Sequence, residues 1–413
     1  MTSRRTTSFP LTTVAVAASV TAIANLPVFL LGAMAPAIRA ELRYSAAGTG
    51  LAVSAFFAAS ALSAPLMARL IQRAGPFLAL RVAASSTCAA MVLVAVAAQT
   101  WLTLTLVLVG AGVANAVGQT SANLTLAELA SPGHDGIAFG IKQGAVPLAT
   151  MVAGLAVPLV ASTVGWRWGF AMGAVLAVPI AVVAPRLLLR KAGQGTRSAS
   201  TAGRVSGPVD WLVVSLVAAG AFLASGVSLG LAVYVVELAI HRGWTADQAG
   251  TLLAVSSVCT VAVRVFAGWW MDVRDHRGRR PVPLLSAAGL IAAGAVGCLL
   301  LAVGGSSRVT VAVGTILGMS LGWGWAGLMH LTIVQLNRTA AATATGLILF
   351  GVFGGGVVLP SATGMVVEHV SYSAALLISA GGLVLASFAL FAAHRVVVAR
   401  ALMAQPDVAT DAG

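Results

Sequence analysis

Charged residues interrupt this chain only at intervals that suit a lipid bilayer. Between them lie uncharged, mostly apolar runs at 6–38, 44–68, 82–127, 143–166, 168–185, 211–236, 248–263, 281–307, 309–337, 339–367 and 369–394. A helix rises about 1.5 Å per residue, so about 20 apolar residues cross a hydrocarbon core roughly 30 Å thick. Each run suits one helix except 82–127. That run is long enough for two, with a polar break at Gln99 and Thr100 followed by an interfacial Trp101. The pattern predicts an all-α integral membrane protein of twelve transmembrane helices.

The pattern also divides in two. The longest polar stretch follows the sixth predicted helix and reads as a flexible linker. The expected layout is an N-terminal tail over 1–13, a six-helix bundle over 14–189, a linker over 190–210, a second six-helix bundle over 211–395 and a C-terminal tail over 396–413. The halves repeat each other weakly but in order. Ser45 to Ser54 opens the second helix as Thr245 to Ala254 opens the eighth, and Gln72 then falls opposite Asp272. Further on, Gly140 to Gly144 matches Gly346 to Phe350. Parallel repeats of six helices are an arrangement used by alternating-access transporters, with the solute bound between the repeats.

Composition sharpens this picture. The chain is 59% hydrophobic and 8% charged, with a mean hydropathy of +0.97. A net charge of +13 would suggest nucleic acid in a soluble protein. Here its placement matters more. With the N-terminus in the cytoplasm, most basic residues fall on inner loops, while Arg39, Arg43, Arg167, Arg242 and Arg308 fall outside. Basic loops resist translocation, so both termini are expected in the cytoplasm of a multi-pass protein of the plasma or inner membrane. No nucleic-acid partner is expected; the bilayer and a small-molecule substrate are, with the protein a monomer.

Arg4 and Arg5 before an apolar stretch resemble a twin-arginine signal, and Ala33 to Ala35 a peptidase site. Cleavage would leave eleven helices and reverse the charge bias, so an uncleaved first helix is expected. Cys88, Cys259 and Cys298 lack the paired spacing of zinc or redox sites and read as packing residues.

The loop after helix eight carries the most specific residues. Arg264, Gly268 and Asp272, spaced by four, precede Arg274 and the run Gly278-Arg279-Arg280. This resembles the loop signature of the major facilitator superfamily of secondary transporters, stretched by a short insertion. The resemblance covers nearly the whole chain and implies two pseudo-symmetric six-helix bundles. It also implies that Asp272 caps a neighbouring helix and pairs with arginine at a cytoplasmic gate. The loop after helix two keeps Arg73 and Gly75 but has Ala68 for the glycine and Gln72 for the aspartate. Helix five, with Lys142 to Pro147, Pro158 and Gly165 to Trp168, is similar to a pattern found in a broad bacterial set of these transporters whose substrates vary.

Ionisable groups at membrane depth cost about 2.5–3.5 kcal/mol or more, which makes them functional candidates. No acid falls at mid-membrane, and no metal cluster, carboxylate pair or nucleophile–base set is visible in the helices. No cofactor and no enzymatic activity are therefore expected. Lys142, about two turns into helix five beside Gln143, would attract an anionic solute; alternatively its stem snorkels to the headgroups. Asn115, Gln119 and Asn123 share one face of helix four and either bind a polar ligand or join helices. Asn25, beside the kink-forming Pro27, has the same two roles open. Tyr234 is a cavity hydroxyl or an outer anchor.

On helix ten, Trp323 and Trp325 at spacing two cannot share a helical face. One of them, with Trp325 the substrate candidate, lines a cavity while the other packs against glycine. His330 is the proton-coupling candidate, or a satisfied histidine at the inner mouth. Arg264 is assigned to the gate loop with Gly268, Asp272, Arg274, Arg73 and Gly75. The reading is a secondary transporter that moves a small anionic or neutral amphipathic solute by alternating access. Proton coupling is implied by the resemblance alone. Efflux of a drug or metabolite, and a transporter-like sensor, remain alternatives.

Overall fold

The structure is a computed structural model that describes residues 11–129, 135–192, 210–276, 283–304, 307–329, 332 and 341–403. Its main helices are α1 (Leu11–Ala33), α2 (Ala46–Ala74), α3 (Pro76–Ala97), α4 (Trp101–Leu129), α5 (Asp135–Ala156) and α6 (Trp166–Ala192) in the first half. The second half has α7 (Trp211–His241), α8 (Ala246–His276), α9 (Pro283–Val303), α10 (Arg308–Ser320), α11 (Ala341–His369) and α12 (Tyr372–Met403). Among the described residues eleven helices are long and apolar enough to cross a membrane, and α10 is a shorter apolar helix in the tenth place.

The predicted run 309–337 breaks because Leu321 to Trp325 form a turn, after which residues 326–329 are helical again. Most of the predicted linker, residues 193–209, and the outer parts of both tails lie outside the described residues. Helix α12 continues past residue 395, and its Arg400 pairs with Asp210. Asp210 also caps α7, accepting from Val213 N at 3.2 Å. Charge-bounded runs underestimate α8 most, because Arg264 and Asp272 are carried within it and find partners there; α5 likewise begins before Lys142.

Local sequence fixes the tight joints. Gly75, at φ 87°, ends α2 and leads directly into Pro76 of α3. A positive φ is open to glycine without a Cβ penalty, and proline suits the first helical position. Gly165, at φ 99°, makes the same kind of joint between α5's last turns and α6. Beyond Ala156, helix α5 widens into a π-helical turn over Val157–Ala161, which contains Pro158.

Small residues let the two halves approach closely, as expected where lipid supplies no hydrophobic drive between helices. Helix α5 lies along α8: a Cβ added to Gly268 would meet Gly136 O at 2.3 Å, and one added to Gly154 would meet Gly250 O at 2.6 Å. Between these contacts Thr150 and Ser257 share a hydrogen bond of 2.7 Å. Helix α2 meets α11 in the same way, but only over part of its length. A Cβ on Gly50 would meet Pro360 O at 2.4 Å, and one on Gly364 would meet Ala46 O at 2.9 Å.

Candidate solute cavity

A cavity of about 760 Å³ lies between the halves. Its polar wall comes from α1, α4, α5 and α8 and includes Asn25, Gln119, Thr120, Asn123, Lys142, Gln143 and Arg264. Its apolar wall comes mainly from α2 and α11, with Phe57, Ala61, Pro65, Leu349, Phe350 and Phe353. Trp323 and Trp325 complete it. Among the described lining residues there are two cations and no carboxylate.

The cations are held differently. Lys142 is 2% exposed, and its Nζ donates to Gln119 Oε1 at 2.9 Å, linking α5 to α4. Gln119 itself is only half-buried and lies over the cavity. Arg264 donates from Nε and Nη2 to Trp323 O at 2.9 and 2.8 Å, and from Nη1 to Gln143 O. Its guanidinium also lies 5.1 Å from the Trp323 ring centroid. These contacts tie α8 to α5 and to the turn after α10.

The two membrane faces differ. On the face away from the termini, Arg39 pairs with Glu237, Tyr234 OH donates to Ala46 O at 2.9 Å, and Glu368 Oε2 accepts from Ala47 N at 2.9 Å. Ser162 bonds Asp247 there too. Each of these contacts crosses between halves, so that face is closed. Towards the terminal face α2 and α11 part beyond Phe57 and Gly356. Pro65 and Phe350 both line the cavity and are exposed, which places its opening there.

The start of α5 still joins the halves at the terminal face. Asp272 Oδ1 accepts from Gly136 N and Oδ2 from Ile137 N, both at 2.9 Å, so its carboxylate caps the start of α5. Negative charge is favourable at that end of a helix. Gly268 lies against Gly136, and Arg274 sits 5.6 Å from the Trp270 ring centroid. Arg73 and Gln72 in the first-half loop are exposed.

Of the residues singled out by sequence, Lys142, Gln143, Gln119, Asn25 and Trp325 line the cavity. Asn115 lies behind the lining: it is fully buried, and its Oδ1 accepts from Ser60 Oγ of α2 at 3.0 Å. Asn25 donates to Thr21 O one turn earlier in α1, at 2.8 Å. Tyr234 belongs to the closed face. His330 lies outside the described residues.

Two expectations change. Trp323 and Trp325 both line the cavity, because Leu321 to Trp325 turn and the helical spacing rule does not hold there. The Trp325 Nε1 is buried without a hydrogen-bond partner. Arg264, assigned by sequence to the gate loop, lies in the cavity wall two turns before Asp272. Its place inside α8, next to an apolar run, was the available signal. The Arg39–Glu237 pair had none, since its members lie far apart in sequence.

Comparison with known proteins agrees with this architecture. The family model described as Major Facilitator Superfamily matches residues 17–236 and 214–407. Two curated proteins of Mycobacterium tuberculosis, one from strain CDC 1551 / Oshkosh and one from ATCC 25618 / H37Rv, are each described as an uncharacterized MFS-type transporter. Both are 30% identical over 159 residues, which is 38% of this chain and only 35% of their own length. A crystal structure of a bacterial homolog of the human lysosomal transporter Spinster, in an inward-facing and occupied conformation, shares the fold. It aligns with a TM-score of 0.69 at 17% identity, covering 94% of this chain and 98% of that one. The chain belongs to the major facilitator superfamily of membrane transporters.

Proposed function

We propose that the protein moves a small amphipathic solute, anionic or neutral, across the plasma or inner membrane by alternating access, with coupling to protons. The wall chemistry carries this reading. Lys142 and Arg264 lie in it without a lining carboxylate among the described residues, opposite the phenylalanines of α2 and α11. Such a wall repels organic cations and suits a solute with a polar or negative head and an apolar body. The closed far face and the opening between α2 and α11 fit one end state of a rocking cycle, in which the terminal face is cytoplasmic. Reporter fusions after Leu402 are then expected to report cytoplasm, and fusions near His241 the outside.

Site-directed labelling tests the cycle without knowledge of the solute. A cysteine at Ala64 is expected to react with a membrane-impermeant maleimide from both sides of a vesicle, because the cavity alternates between them. The reactivity of Cys88, Cys259 and Cys298 in the unsubstituted protein gives the background. Labelling from the terminal face alone would contradict transport and favour a non-transporting sensor.

A further inference from the structure

We infer that the solute is an amphipathic monocarboxylate and that Gln119 holds its place on Lys142 in the empty protein. The inference rests on the transport reading above and adds the head group and the residue it displaces. The Gln119 amide oxygen accepts from the Lys142 ammonium at 2.9 Å. That amide is neutral, so the hydrogen bond leaves the lysine's charge uncompensated. A carboxylate has the same planar, trigonal head as the amide, but its charge makes the bond to an ammonium stronger, roughly twice that of a neutral pair.

Burial supports an exchange of the two. Lys142 is almost fully buried, whereas Gln119 is only half-buried and lines the cavity. Swinging the Gln119 side chain aside therefore uncovers the ammonium to a solute already in the cavity. The second cation is engaged already. Arg264 spends Nε, Nη1 and Nη2 on the carbonyls of Trp323 and Gln143 and packs on the Trp323 indole. The carbonyls leave the Arg264 charge uncompensated but occupy its nitrogens, so the head group is placed on Lys142, where a single carboxylate replaces a single amide. The apolar remainder of the solute then lies against Phe57, Leu349 and Phe353 across the cavity.

The test uses the full-length purified protein and four probes of equal chain length: octanoate, octanamide, octylamine and suberate. Binding is read as the rise in melting temperature with concentration, since a ligand of the native state stabilises it by mass action. Octanoate is expected to bind at least tenfold more tightly than the other three. In Lys142→Met its preference over octanamide is expected to vanish.

Two variants of Gln119 separate a placeholder from a structural residue. Gln119→Ala is expected to bind octanoate as tightly as the parent or more so, because it removes the competitor. Gln119→Glu supplies an internal carboxylate; it is expected to raise the melting temperature of the empty protein and to weaken octanoate by tenfold or more. Octanamide binding as well as octanoate would overturn the inference, while leaving transport of a neutral solute intact. Tighter binding of suberate or octylamine, or no binding of any probe, would also overturn it. So would weaker octanoate binding in Gln119→Ala, or an unchanged melting temperature in Gln119→Glu. Labelling at Ala64→Cys judges the transport reading separately, because it uses no probe solute.

Discussion

Asp272 and Gly136 join the two halves of the protein at the terminal face, Asp272 Oδ1 accepting from the Gly136 N–H at 2.9 Å. The bond puts a second-half charge on the first turn of α5, the helix that carries Lys142. In the proposed rocking cycle, any opening of the terminal face beyond this contact would have to break the cap.

Asp272→Asn keeps the shape of the cap but removes its charge. Negative charge at a helix N-terminus contributes about 0.3–1 kcal/mol, and the amide keeps only one of the two accepting oxygens. The substitution is expected to slow transport clearly, whereas Gln72→Ala is expected to have little effect because Gln72 is exposed. Initial rates in vesicles, normalised to inserted protein, check this. Equal effects of the two substitutions would remove the asymmetry between the loops.

The seam between α5 and α8 leaves no room for an added atom at Gly154. Gly154→Ala would place its Cβ 2.6 Å from the Gly250 carbonyl and 2.8 Å from the Ala254 nitrogen, both backbone atoms that cannot turn away. Overpacking of this kind costs about 1–3 kcal/mol. A lower melting temperature is expected for Gly154→Ala. Gly110→Ala, where nothing lies within 4 Å, is expected to leave it unchanged. Thermal unfolding of both variants in one detergent gives the comparison.

Closure of the far face depends on contacts that one substitution can weaken. Tyr234→Phe deletes the hydroxyl that donates to Ala46 O, and Arg39→Ala deletes the ion pair with Glu237. Each is expected to shift the population towards the outward-open state. The readout is faster maleimide labelling of a cysteine at Ser361 from the far side, with the Arg39 variant affected at least as strongly. Unchanged rates would mean that the remaining contacts of this face, the glycine approaches of α2 and α11 with Glu368–Ala47 and Ser162–Asp247, suffice to close it.

A pH effect is expected at the short helix Ala35–Leu42 between α1 and α2. The hydrogen bond from Arg167 holds the Glu41 carboxyl below its ordinary value of 4.5, and Trp166 Nε1 donates to the same carboxylate at 2.7 Å. A carboxyl held low in the folded protein adds stability above its ordinary value and loses it as pH falls through the folded value. The pair is partly exposed, so solvent screens it and the effect is small. Glu41→Gln is expected to melt slightly below the parent at pH 7, with the difference vanishing as pH falls through the folded value.

Most of the spans and the Asp272 cap were legible because each is written in local pattern or motif. Charge spacing located α1 to α9 and α11 to α12, although it trimmed α5 and α8 at the charged residues those helices carry. Lys142 stood out as an intramembrane cation, whereas Arg264 was read with the gate loop. What the sequence could not reveal is pairing across the interior. Asn115 and Gln119 share one helical face, yet Asn115 joins α4 to α2 while Gln119 covers Lys142. The turn at Leu321 to Trp325 was hidden as well, since an apolar run containing two glycines reads as helix until its neighbours are known.

Solute counterflow in proteoliposomes, with octanoate as the probe and Lys142→Met as the comparison, tests carboxylate transport most directly. The substitution keeps the length and the apolar stem of the side chain while deleting the charge, and relieves an intramembrane cost of about 2.5 kcal/mol or more, so insertion and folding are expected to hold. The parent protein is expected to show octanoate counterflow. In Lys142→Met the half-saturation concentration is expected to rise by roughly tenfold or more, which corresponds to about 1.4 kcal/mol. Lys142→Arg keeps the charge and is expected to retain part of the affinity. Absence of counterflow in the parent protein, or an unchanged half-saturation concentration in Lys142→Met, would contradict the account.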